Sequence, residues 1–119
     1  HPLIRIRDGE LEETRSDRMP IGIYSDDGGK VFTNHVLEMK KGDMYYFFTD
    51  GYVDQFGGPK GKKYMGKRFK KLLLEIHQLP MKKQKQKLDE VVEGWKAHVM
   101  VDGSTYEQMD DILVIGVKV

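Results

Sequence analysis

Cysteine is absent from the 119 residues. That excludes a disulfide frame, a thiolate zinc site and a cysteine nucleophile, and it points to a reducing, cytoplasmic setting. No apolar run approaches the ~20 residues that a bilayer-crossing helix needs, and no signal-peptide pattern opens the chain. A segment without membrane contact is therefore expected. Net charge is almost absent as well, at +1. Tryptophan occurs once, but five Phe and six Tyr accompany it, too many aromatics for a disordered segment. The length suits one domain and leaves little room for two.

The small net charge conceals a strong asymmetry. Between Lys60 and Lys87 lie eleven basic residues and one acid, Glu75, a local balance of +10. The remainder carries −9. A basic, helical segment thus sits on an acidic scaffold, a layout that bears on partners before it bears on fold.

The first half reads as short strands punctuated by turns. Leu3, Ile4 and Ile6 run into Asp8-Gly9, a hairpin signal, and Leu11 resumes an extended segment through Thr14. Pro20 and Gly22 break the next piece, where Ile21, Ile23 and Tyr24 suggest a short strand or bend, and Ser25 to Gly29 is dense turn chemistry. Val31 to Met39 alternates as a strand would. After a turn at Lys41-Gly42-Asp43, the run Met44 to Thr49 predicts a central strand covered on both faces. A glycine-rich basic loop follows at 56–63. The period then changes. Met65, Phe69, Leu72, Leu73 and Ile76 mark one helical face, and after Pro80, Leu88, Val91, Val92, Trp95 and Val99 mark another. Ile112 to Val119 is a final β-branched strand. The class is α+β.

The chemistry gathers at two acidic sites, each at a strand end. Asp50 closes the aromatic run with Gly51 behind it, and Asp110-Asp111 opens the last strand. If those strands pair antiparallel, Asp50 and Asp110 meet at one sheet edge. Two neighbouring carboxylates repel unless positive charge lies between them. Oxygen donors without His or Cys suit a hard cation such as Mg²⁺ or Mn²⁺. The plainer reading stays open: Asp-Gly is also a simple turn, and Asp-Asp can merely cap a strand.

The segments Pro2-Leu3-Ile4-Arg5 with Asp8-Gly9-Glu10, Pro20-Ile21-Gly22, Lys41-Gly42-Asp43, Phe48 to Gln55, Tyr64-Met65-Gly66 and Gln108 to Ile112 follow one another in an order that resembles a known family. It is the SpoIIE-type bacterial serine/threonine phosphatases, relatives of protein phosphatase 2C. The resemblance covers the C-terminal part of that family's domain, so residues 1–119 are expected to be that part of a single domain, without its upstream Gly-Asp motifs. It implies a phosphatase 2C-like α-β-β-α sandwich. It also implies metal ligation by Asp50 in the Thr-Asp-Gly motif and by Asp110 in the closing Asp-Asp pair, both catalytic. The cofactor would be Mn²⁺ or Mg²⁺ in a two-metal site incomplete in this segment. Its chemistry is hydrolysis of phosphoserine or phosphothreonine on a regulatory protein, of the anti-sigma antagonist type, by metal-activated water in bacterial signal transduction. Leu113 departs from the family pattern, where many members carry Thr.

Other features weigh less. Gly61 to Arg68 nearly matches a phosphate-binding loop but has Arg68 where Ser or Thr is needed. The lysine-rich face lacks interleaved aromatics for base stacking, so nucleic acid is not expected, and a solvated face or docking of an acidic protein is. His35, His77 and His98 fall in separate elements. Asp54 lies one helical turn beyond Asp50, close enough in sequence to support it. The alternatives are a catalytically inactive fragment or interaction module, able to form a homodimer through open sheet edges, and a basic nucleic-acid-binding domain.

Overall fold

The computed structural model describes residues 1–18 and 31–119. The readings made for Pro20 to Tyr24 and for Ser25 to Gly29 lie outside the described residues. At the first turn, Asp8 and Gly9 both take left-handed backbone, with φ of 52° and 77°. A two-residue hairpin turn that matches strand twist requires this. It joins β1 (Leu3–Arg7) to β2 (Glu10–Thr14) in the register Leu3↔Thr14 to Arg7↔Glu10. The aromatic run forms β3 (Met44–Phe48), which pairs with β1 on one side and with β6 (Val114–Lys118) on the other. The sheet is antiparallel with order β2-β1-β3-β6.

Between β3 and β6 come α1 (Asp50–Asp54), a two-residue-per-strand hairpin of β4 (Phe56–Gly57) and β5 (Lys62–Lys63), then α2 (Gly66–Ile76) and α3 (Met81–Lys96). The segment expected as a loop at 56–63 is thus a short hairpin. Alternation sends Ile4, Ile6, Met44 and Tyr46 to one sheet face, where they are buried with Phe69, Leu72, Leu73 and Ile76 of α2 and Val92 of α3. This is the helical period read from sequence, now packed on strand residues of period two. Trp95 joins it from the apolar stripe. No helix among the described residues is long and apolar enough to cross a membrane.

Two expectations need correction. Residues 31–39 form no strand, and both parities of their alternation are exposed: Val31 by 84% and Val36 by 88%, with Phe32 also open. A strand needs a neighbour for its backbone groups, and residues 31–39 pair with no strand among the described residues. Only the first three residues of β3 are covered on both faces; Phe47 is 49% exposed. It stands on the outer face beside Ile115 and Val117, which no helix among the described residues covers.

At the start of β3, Asp43 is almost wholly buried, at 1% exposure. The Arg7 guanidinium grips it through two nitrogens at 2.8 and 2.6 Å, while the Lys40 N–H and the Tyr45 hydroxyl donate to Oδ2. Arg7 thereby holds the Asp43 carboxyl well below the usual carboxylate range. The turn that the sequence indicated is present at Lys41-Gly42, and Arg7 clamps it through Asp43.

Candidate active site

The opposite end of β3 is built differently. The β3–β6 ladder runs to Phe48↔Val114, and one residue further the Thr49 N–H donates to the Leu113 carbonyl at 3.0 Å. The Thr49 hydroxyl then takes over as a ladder rung. It accepts the Leu113 N–H at 3.1 Å and donates to the Asp111 carbonyl at 3.1 Å. Thr49 is also the residue before α1, with extended backbone, so the chain turns from strand to helix directly at Asp50.

Gly51 completes the junction. A side chain there would drive its Cβ far inside contact distance of the Asp111 carbonyl, which is backbone and cannot swing away. Only glycine lets α1 sit this close to the approach to β6. Asp50 and Asp110-Asp111 therefore leave the sheet at the same end of paired strands, and all three are exposed. The Asp110 side chain accepts the Asp111 N–H at 2.8 Å, and its carbonyl accepts from the Gln108 amide.

The support below is buried and polar. Tyr52 donates to the Leu88 carbonyl at 2.7 Å, anchoring α1 to α3. Gln55 is buried, and its amide nitrogen donates to the Glu107 carbonyl at 2.8 Å, tying the segment that leads to Asp110 onto the end of α1. The Trp95 indole donates to the Gln55 carbonyl. Asp54, expected as a support for Asp50, instead pairs with Lys63 of β5 at 3.3 Å.

A third strand end reaches this edge. In the β1–β3 register Ile4 faces Tyr46, so continuing outward brings His1 level with Thr49. The His1 Nδ1 lies 2.9 Å from Asp50 Oδ1. Sequence reasoning missed His1, Thr49 and Gln55. For His1 the available signal was the register sum of an antiparallel pair, because spacing along the chain carries no trace of it. His35 and His98 are exposed elsewhere, and His77 Nδ1 faces the Leu74 carbonyl at 2.6 Å.

The donor set at this edge is oxygen from carboxylates, which fits a hard divalent cation. Among the described residues no three His, Cys, Asp or Glu side chains cluster closely enough to hold a metal ion. Asp50, Asp110 and Asp111 thus form no closed metal cage among the described residues. A separate open cleft of about 780 Å³ lies between α3 and β6, lined by Met81, Lys82, Lys85, Leu88 and Val114 among others. It does not include Asp50 or Asp110.

The family model for stage II sporulation protein E (SpoIIE) matches residues 1–119. No curated protein matches the chain. Among solved structures, the SiaA-PP2C domain of Pseudomonas aeruginosa is similar at 24% identity with a TM-score of 0.77, over 99% of this chain and 42% of that one. The phosphatase domain of the cell fate determinant SpoIIE from Bacillus subtilis, presoaked with Mn, is similar at 19% identity with a TM-score of 0.61, over 100% of this chain and 46% of that one. The α+β architecture read from the sequence is that of these phosphatase 2C-like domains. The chain spans less than half the length of either.

Proposed function

The chain belongs to the SpoIIE family, and from that premise we propose that it forms the C-terminal part of a metal-dependent serine/threonine phosphatase domain. In this reading Asp50 and Asp110 are metal ligands and catalytic, and the remaining ligands come from the part of the domain upstream of His1. The observation that carries it is the Thr49 junction, whose hydroxyl joins the end of β3 to the Asp111–Leu113 segment leading into β6, directly before Asp50. With Asp50 and Asp110 among its ligands, a bound Mn²⁺ or Mg²⁺ would supply Lewis acidity toward a water and the phosphoryl group. Asp50 and Asp110 are both open to solvent, as ligands awaiting the rest of the domain would be. The uncovered outer face at Phe47, Ile115 and Val117 supports a second sheet contributed by the rest of the domain.

The substrate is a phosphorylated regulatory protein in a bacterial cytoplasmic signalling system. Lys82, Lys83, Lys85 and Lys87 are exposed on α3 and provide a surface for an acidic or phosphorylated partner. The alternative of an inactive interaction module draws on one observation, the open outer edge of β6 among the described residues. Phosphopeptide hydrolysis with Mn²⁺ decides between them, measured on this chain and on the chain extended upstream. Activity in the extended chain that disappears in Asp50→Asn and Asp110→Asn supports the phosphatase. An extended chain that folds and hydrolyses nothing, or activity that survives both substitutions, overturns the assignment.

A further inference from the structure

We propose that His1 is a positioning residue for Asp50: its Nδ1–H fixes one carboxylate oxygen and leaves the other presented at the sheet edge for a divalent cation. The inference rests on the reading of Asp50 as a metal ligand and adds a residue which that reading does not contain.

The geometry begins with Pro2. A residue before proline is held in extended backbone, and β1 starts one residue later, so the direction from which His1 enters is set by the sheet. The imidazole then lies beside Phe48, with ring centroids 6.3 Å apart, and Phe48 in turn packs on Phe69 of the core at 4.8 Å. The ring thus leans on an anchored surface. Its Nδ1 stands 2.9 Å from Asp50 Oδ1, a hydrogen-bond distance at which the carboxylate accepts and the imidazole donates.

Asp50 needs such a partner. Its side chain is 56% exposed, and the hydroxyl that would ordinarily cap a helix start, that of Thr49, is turned toward β6 instead. A carboxylate on an exposed strand-to-helix corner rotates freely unless one oxygen is held. Fixing Oδ1 removes that rotation and leaves Oδ2 as the donor to an ion. Outer partners that orient metal-binding carboxylates typically change affinity by about 10–100-fold when removed.

The test uses the full-length protein and Mn²⁺ alone, with binding read from the electron paramagnetic resonance signal of free Mn²⁺. His1→Ala is expected to weaken binding by about tenfold or more without moving the melting temperature. His1→Asn, whose amide nitrogen can occupy the Nδ1 position, is expected to restore most of the affinity. His1→Gln, whose amide reaches further, is expected to behave like His1→Ala. Asp50→Asn separates ligation from positioning. If Asp50→Asn binds Mn²⁺ as the parent does, the ligand assignment itself fails. If Asp50→Asn loses binding while His1→Ala keeps it, or if His1→Asn is as weak as His1→Ala, the positioning role is overturned and the ligand assignment stands.

Discussion

One five-residue strand carries an aspartate beside each end, each next to a glycine, and the two have opposite fates. Asp43, just before β3, is buried and receives donors from Arg7, Lys40 and Tyr45. Asp50, just after it, is largely exposed, and its carboxylate meets the His1 ring. Both oxygens of Asp43 are engaged by the protein, so little is left to offer a ligand. Asp50 is held by the backbone around it, and its carboxylate remains available. A satisfied carboxylate and an open one differ here in who satisfies the oxygens, not in residue type.

The largest effect should come from breaking the satisfied end. Asp43→Ala leaves the Arg7 guanidinium without its carboxylate, and Arg7→Ala leaves a buried negative charge unpaired. Either should lower the melting temperature more than any substitution at the Asp50 end. Replacing both, as Arg7→Met with Asp43→Leu, should be milder than either alone, since no charge is then stranded. The same clamp predicts the acid limit. The Asp43 carboxyl is depressed by Arg7 in the folded state, so the fold binds its proton less tightly than the unfolded chain does. The stabilisation is complete above the unfolded pKa of about 4 and is lost as pH falls below it. Acid denaturation followed by circular dichroism should show this loss, and Asp43→Asn should remove one proton's share of the slope.

At the open end the backbone is the fragile part. Gly51→Ala forces a methyl group into the Asp111 carbonyl and should cost about 1–3 kcal/mol, read by denaturant unfolding. It should also separate Asp50 from Asp110 and abolish Mn²⁺-dependent hydrolysis. Thr49→Val comes next. It removes a hydroxyl that donates to one carbonyl and accepts one N–H, for a loss of about 1–2 kcal/mol. Thr49→Ser keeps both bonds and should fall well short of that.

How far the sequence reaches follows the same division. Local signals were sufficient where the deciding contacts are local: the Asp8-Gly9 turn, the run that became β3, and the apolar stripes of α2 and α3. The antiparallel pairing of the last strand with β3 was legible because it is the simplest arrangement, but that strand begins at Val114, so Asp110-Asp111 lies in the segment leading to it and not at its end. Residues 31–39 misled because alternation reports a face and says nothing of a neighbour. Lys41-Gly42-Asp43 is the turn that was read, but its ion pair was invisible because the partner, Arg7, lies 36 residues from Asp43. His1 and Gln55 meet Asp50 and Glu107 only through the sheet register and the close of α1. Side-chain bonds of that span leave no periodic trace.

The smallest expected effect is the sharpest test of the comparison. Asp50→Asn removes a charge that contributes one exposed contact to a histidine, and exposed ion pairs contribute about 0–1 kcal/mol. Stability should therefore change by less than about 1 kcal/mol, while Mn²⁺ binding and hydrolysis should collapse. Asp43→Asn should show the reverse, a destabilised fold whose surviving folded fraction still binds the ion. Equal losses of stability from the two substitutions would mean that Asp50 is part of the scaffold, and the distinction between the two ends of β3 would disappear.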